Sequence, residues 1–339
     1  MNKKVKKILF VVIIIFLVII ISLGAVVYLF IQNKLNKINY EDLNIEDLSI
    51  NQNILEDINS NEDINLTENQ FNEIKTIAIF GSDSRNMKDS YDDGRSDVII
   101  IFSINPMNKK ISMISIPRDT YVDIPGYGKT KINHAFAYGK EQLSIKTINQ
   151  NFGLNISEYV TVNWESVATL VDMVGGIDLY ISEAEKNFIN RAIDYTAENS
   201  NGIARKLNTS GNVHLTGTQA LTHCRNRYVG NDFTRAERQR TVITKLMEKI
   251  AQKDINEINT LIDNFLPYVK TNIDVLKYSS YIPEVLKYKN EYLSNIVSTQ
   301  VPSTEQASGQ MITGVYFFVP NNYEVCKKSF IEYLYGDKK

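Results

Sequence analysis

Residues 8–31 carry no charged side chain, and this run constrains everything that follows it. At about 1.5 Å per residue, a helix of that length crosses a bilayer core of roughly 30 Å with some tilt. A cleavable signal peptide has a shorter apolar stretch, about 7–15 residues, ending at small side chains. This run stays bulky to its end, through Val27, Tyr28, Leu29, Phe30 and Ile31. An uncleaved transmembrane helix is therefore expected. Lys3, Lys4, Lys6 and Lys7 precede it, Lys34 and Lys37 follow, and residues 41–73 then bring ten acids with no lysine or arginine. Positive charge stays on the cytoplasmic side. Residues 1–7 are expected as a cytoplasmic tail, and everything after residue 31 is expected outside the membrane.

Residues 32–72 alternate Asn, Asp and Glu with isolated Ile and Leu, and no helical period holds beyond two turns. They read as an extracytoplasmic stalk. Residues 73–339 remain for one large domain. An apolar content of 43% with 22% charged residues is globular, not disordered. The net charge of −2 is uneven, because the stalk is acidic while residues 225–240 are basic.

Within the domain, residues 74–80, 97–104 and 110–116 read as strands, the last stopped by Pro117. Asn105-Pro106-Met107-Asn108 supplies an antiparallel turn between the second and third. Residues 140–151, 165–173, 182–197, 216–225, 234–252 and 255–266 read as helices, with a last one at 283–288. Ser182 with Glu185 forms a capping box, and Thr216 is a further cap. Residues 159–163, 177–181 and 314–319 read as additional strands. Strands and helices intermix without regular βαβ spacing. The expected class is α/β, a mixed sheet with helices on both faces, behind an N-terminal transmembrane helix.

Three stretches carry the chemistry. Gly81-Ser82-Asp83-Ser84-Arg85 and Arg95-Ser96-Asp97 each set a carboxylate at a strand edge. Two carboxylates with substrate phosphates are how magnesium is usually held. The plainer alternative gives Asp83 an Asx-turn and pairs Asp97 with Arg85 or Arg95. The third stretch places Arg225, Arg227, Arg235, Arg238 and Arg240 within sixteen residues, with Gln239 among them. Guanidinium forks grip phosphate oxygens. A solvated helix face is one alternative and a polybasic membrane contact another. Nucleic acid is disfavoured because the cluster lies outside the membrane. Arg118 stands where Pro117 ends a strand, and Lys131 follows the Gly128 turn. Each can add a cation, or Arg118 can pair with Asp119 or Asp123. Cys224 and Cys326 make no disulfide framework, and His134, His214 and His223 lack metal-ligand spacing, so a zinc site is not expected.

These residues, with Ser115-Ile116-Pro117-Arg118-Asp119, Lys131-Ile132-Asn133-His134, Val174-Gly175-Gly176-Ile177-Asp178 and Leu215-Thr216-Gly217-Thr218-Gln219-Ala220, occur in one order. That ordered set resembles the LytR–CpsA–Psr family. The resemblance implies an α-β-α fold with an apolar tunnel for a prenyl chain. It implies a magnesium-dependent phosphotransferase at the outer membrane face, acting in cell-wall biogenesis. Such enzymes move an anionic glycan, teichoic acid or capsular polysaccharide, from undecaprenyl pyrophosphate to a peptidoglycan MurNAc hydroxyl. By the same resemblance Asp83 and Asp97 correspond to magnesium ligands. Arg118, Arg225, Arg227, Arg235, Gln239 and Lys131 correspond to pyrophosphate contacts, with Arg118 and Asp97 in catalytic roles. Two other functions fit the same residues, a polyprenyl-pyrophosphate pyrophosphatase and a non-catalytic envelope scaffold.

Overall fold

The computed structural model describes residues 39–82, 94–274, 278 and 281–337. The expected anchor over residues 8–31 lies outside them. Among the described residues no helix is long and apolar enough to cross a membrane.

The chain starts with β1 (Asn39–Tyr40), then the short helices α1 (Ile54–Asn59) and α2 (Glu68–Glu73). A meander follows in β2 (Lys75–Ser82), β3 (Ser96–Asn105) and β4 (Lys110–Ser115). A small hairpin of β5 (Tyr121–Ile124) and β6 (Gly128–Lys131) leads into α3 (His134–Phe152) and β7 (Tyr159–Val162). Next come α4 (Trp164–Met173), β8 (Ile177–Ile181), α5 (Glu183–Asn199), β9 (Gly211–Leu215), α6 (Gly217–Cys224), α7 (Asp232–Ile250) and α8 (Ile255–Phe265). The C-terminal part holds β10 (Lys270–Thr271), α9 (Ile282–Lys287), α10 (Lys289–Ser294), β11 (Ile296–Gln300), the hairpin β12 (Ala307–Ile312) and β13 (Val315–Pro320), and α11 (Tyr323–Tyr335).

The central sheet runs β1-β10-β7-β2-β3-β4-β11. The β2–β3–β4 meander is antiparallel, whereas β7 joins β2 and β11 joins β4 in parallel. The sheet is mixed and helices lie on both faces, as the pattern predicts. The β3–β4 turn closes where Asn105 accepts the amide of Met107 on its side chain at 3.0 Å.

Strand alternation divides the sheet's two faces. Ala78, Phe80, Ile99, Ile101 and Ile114 point into a sealed core with Ile145, Ile148 and Phe152 of α3 and Phe330 and Leu334 of α11. Their neighbours Ile79, Val98 and Ile100 point to the opposite face, where α4, α6 and α7 stand off and leave a cavity. The near-unbroken apolar run of β3 is what two covered faces require.

Three expectations change. The stalk expected over residues 32–72 is not free in its described part, residues 39–72, because Leu48 and Ile58 are fully buried in the sealed core and Ile54 and Ile64 nearly so. Leu48 and Ile64 dock singly from outside the α-helices, and Ile54 and Ile58 dock from the six-residue helix α1, so no sustained period marks them. The chain also does not end its helices near residue 288. Asn322 caps α11 by accepting the amide of Glu324 at 2.8 Å, and Cys326, Phe330 and Leu334 repeat at helical spacing into the core. The first turns of α3, before the break at Gly139 and Lys140, were likewise not expected.

Candidate active site

β2 and β3 pair antiparallel, with Gly81 opposite Val98 and Ser82 opposite Ser96. Asp97 therefore stands at the start of a central strand, beside a register shift at Gly81 and Ser82 that re-aims the strand. Asp83 and Arg85 lie outside the described residues.

Asp97 is clamped. Arg118 donates through Nη1 to its Oδ1 and Arg227 through Nη2 to its Oδ2, each at 2.7 Å. Burial alone would raise the Asp97 pKa. The charge and hydrogen bond of Arg118, with the charges of Arg227 and Arg235, outweigh it and hold the carboxyl below its ordinary range. Arg118 also approaches Asp119 at 3.6 Å and Asp232 at 3.5 Å. Lys131, at the end of β6 and not in a loop, bonds Asp119 at 2.6 Å.

The arginine cluster splits by environment. Arg238 is buried and fully engaged with Glu185 and two backbone carbonyls. Arg240 bonds Ser115 at 2.7 Å and Ser298 at 3.0 Å, tying α7 to β4 and β11. Arg235 differs. It is only 5% exposed, yet its Nε and Nη1 make no hydrogen bond, and Asp232 stays 3.4 Å from Nη1. Burial lowers its pKa, with Asp232 opposing and Arg227 and Arg118 assisting. It remains a cation, since arginine starts above about 12. Arg225 caps the end of α6, bonds Thr196 at 3.2 Å and lies over the Tyr195 ring at 5.3 Å.

Arg118, Lys131, Arg225, Arg227 and Arg235 open onto one cavity of about 930 Å³, whereas Arg238 and Arg240 do not line it. Its interior is aliphatic, walled by Ile79 and Ile100 from the sheet, Leu170 from α4, Leu221 from α6, and Ile243 and Leu246 from α7. Asp97, Arg118, Lys131, Arg225, Arg227, Arg235 and Gln239 all line it as well. An apolar chamber with a cationic mouth suits an amphiphile with an anionic head. Among the described residues no group of three or more His, Cys, Asp or Glu side chains is set to hold a metal ion. Cys224 and Cys326 are both free and buried.

The residues expected at the site, apart from Asp83, thus share one cavity. Sequence reading left Asp232 without a role and gave Asp119 only as a possible partner of Arg118. Together they hold Arg118, Lys131 and Arg235. Asp119 stands next to Arg118 and Asp232 three residues before Arg235, so a search for countercharges near each arginine would have found both.

The LytR_cpsA_psr family model matches residues 32–329 of the chain. A polyisoprenyl-teichoic acid–peptidoglycan teichoic acid transferase TagU from Bacillus mycoides is 34% identical over 250 residues, covering 73% of this chain and 74% of that protein. The crystal structure of B. subtilis TagV is 27% identical with a TM-score of 0.58, covering 77% of this chain and 97% of the other. The structure of B. subtilis TagT with bound octaprenyl pyrophosphate lipid superposes with a TM-score of 0.57 at 22% identity, covering 80% and 94%.

Proposed function

Because the chain belongs to the LytR_cpsA_psr family, we infer that it is a phosphotransferase moving an anionic glycan polymer from a polyprenyl pyrophosphate carrier to peptidoglycan. The observation that carries this reading is the continuity of one cavity, from an aliphatic chamber to the guanidinium groups of Arg118, Arg225, Arg227 and Arg235. A prenyl chain fills the chamber and its pyrophosphate meets the cations. The names of the relatives point the same way, TagU for transfer of teichoic acid to peptidoglycan and TagT for a bound prenyl pyrophosphate.

A MurNAc hydroxyl oxygen attacks the phosphorus that carries the polymer. A new P–O bond forms there, and the P–O bond to the carrier breaks. Polyprenyl phosphate leaves, and the hydroxyl proton passes to solvent or a carboxylate. Such a transfer needs alignment and charge stabilisation more than covalent help. Arg118, Arg227 and Arg235 supply donors where charge builds on the transferred and leaving groups. Arg225 and Gln239 steady the carrier from the α6 and α7 sides. Asp97 is ionised and held by two arginines, which suits it to orient them and poorly suits it to take a proton at neutral pH.

Magnesium is the cofactor we propose. The ionised Asp97 carboxylate at the cationic mouth fits an ion held by one or two carboxylates and substrate phosphates. Asp83 is the second ligand in this proposal. The ion would neutralise charge on the pyrophosphate. We also place the domain at the outer face of the membrane, held by residues 8–31.

The test incubates the protein with a labelled polymer on polyprenyl pyrophosphate, with and without peptidoglycan fragments. Label moving to peptidoglycan, with release of polyprenyl phosphate only when acceptor is present, is the expected result. Release without acceptor would make the protein a hydrolase. No turnover of any kind would return the scaffold reading.

A further inference from the structure

A second cavity, of about 270 Å³, adjoins the same charged cluster. Asp97, Arg118, Asp119, Arg235 and Gln239 line both. Beyond these shared residues the two cavities differ in kind. The large one continues into mainly aliphatic side chains, with Phe188 and Phe265 among them. The small one is walled by Phe233, Tyr316 and Phe318 and floored by Ile99 and Ile116, with Asn231, Asp232 and Gln300 at its polar side.

That lining selects a ligand class. A prenyl chain gains nothing from amides and carboxylates. An anionic polymer is repelled by Asp232, the charged group that the small cavity adds to the shared cluster. A neutral, hydroxyl-rich ligand is matched on both counts. Its hydroxyls bond carboxylates and amides, and the C–H face of a sugar ring packs flat on an aromatic face.

The aromatic wall is preorganised. β12 and β13 pair so that Gly309 faces Phe318 and Met311 faces Tyr316. The Tyr316 ring lies across the bare backbone of Gly309, where an added Cβ would come within 2.8 Å of the ring. Tyr316 as a residue is 46% exposed. Phe233 and Phe318 meet edge to face at 5.1 Å. The hairpin is pinned to the catalytic segment, because the Phe318 amide donates to the Asp119 carbonyl at 2.9 Å. Arg235 lines both cavities with bonding capacity left on Nε and Nη1.

We propose that this second cavity is the acceptor subsite, binding the hydroxyl-bearing saccharide of peptidoglycan with Tyr316 as its stacking platform. The proposal rests on the phosphotransferase reading and adds where the acceptor enters. Attack and departure in phosphoryl transfer lie roughly in line. Two cavities meeting at one set of arginines give the attacking sugar and the departing lipid separate approaches.

The test uses the full chain, as wild type, Tyr316→Ala and Tyr316→Phe. Transfer is followed at saturating lipid donor while a soluble peptidoglycan fragment is varied, and polyprenyl pyrophosphate binding is measured separately. Tyr316→Ala is expected to raise the KM for the fragment about tenfold, as for one lost ring contact, with lipid affinity unchanged. Tyr316→Phe restores the wild-type value. An unchanged acceptor KM, or a parallel loss of lipid affinity, overturns the subsite. Saturation-transfer NMR of the fragment separates this from failure of the phosphotransferase reading. If the wild type transfers nothing, fragment binding that disappears in Tyr316→Ala still supports the subsite, and absent or unaltered binding overturns it.

Discussion

Arg238 donates through Nη1 to the carbonyl of Asn226 at 3.1 Å, reaching back twelve residues to hold the loop that carries Arg227. Its Nη2 takes the Val229 carbonyl at 2.5 Å and its Nε takes Glu185 at 2.9 Å. Every face of this guanidinium is spent on the fold. Arg235, one turn earlier on the same helix, is buried with two nitrogens unbonded. One arginine builds the site and the other waits for a ligand.

Their substitutions should therefore separate stability from activity. Arg238→Met should lower stability by on the order of 3 kcal/mol, because Glu185 loses its partner in a buried setting. Arg235→Met should leave the thermal midpoint unchanged or raised, since a poorly satisfied buried cation is removed. It should cut transfer roughly a hundredfold. Thermal melts beside transfer rates check this, and equal destabilisation by both would refute the division.

Asp97 carries a pH signature. Burial works against its ionised form, and the Arg118 and Arg227 charges more than compensate, so its folded pKa lies below the unfolded value of roughly 3.9. A depressed carboxyl stabilises the fold above the unfolded pKa, and that contribution is lost as pH falls through the folded one. Asp97→Asn should abolish transfer, and its melting temperature should fall less steeply than wild type below about pH 4. Parallel acid melting curves would count against the clamp.

His223 gives the opposite chemistry with a similar outward trend. Burial pushes its pKa down to about 4, with Glu185 opposing and Arg238 assisting. Its 4.0 Å approach to Glu185 is thus not an ion pair at neutral pH. An unfolded histidine titrates near ~6.5 and binds its proton first. Stability is whole above that value and declines as pH falls toward about 4. His223→Gln should flatten the melting temperature across this window, and an unaltered slope would show that the ring is not a buried neutral group.

Residues 39–74 belong to the folded unit. Leu48→Ala should cost about 2–5 kcal/mol, the range for emptying a well-packed core site. A chain starting at residue 75 should lose cooperative unfolding, because Leu48, Ile54 and Ile58 leave the sealed core together. Urea melts of both proteins give the answer. A full-stability truncation would show those contacts to be superficial.

The strands of the meander, the Ser182 and Thr216 caps and the two-sided helical cover were legible because each has a local mark. Asp97, Arg118, Lys131 and Arg227 were legible as chemistry because each follows a turn or ends an element. Their pairing was not. Arg227 and Asp97 are 130 residues apart, and no local pattern says which carboxylate a distant arginine will meet. The same limit hid the docking of Leu48 and Ile58, whose partners lie in α3 and α11. The β12–β13 hairpin was half seen. Residues 314–319 read as a strand, which the structure has as Val315–Pro320, but Ala307–Ile312 carries Ser, Gly and Gln and has little β signature.

The central sheet is covered unequally on its two faces. Ile99 and Ile101 sit in the sealed core, while Ile100 on the other face packs with Ile111, Met113 and Tyr292 and, with Val98, also lines the chamber. A lipid that enters is thus a missing layer of hydrophobic core as well as a substrate. Loading and folding become thermodynamically linked, and the loaded protein melts higher by an amount set by lipid affinity and concentration. Once polyprenyl phosphate is formed, the same apolar contacts resist its departure. Exit of that product gives up the same apolar contacts that loading supplied.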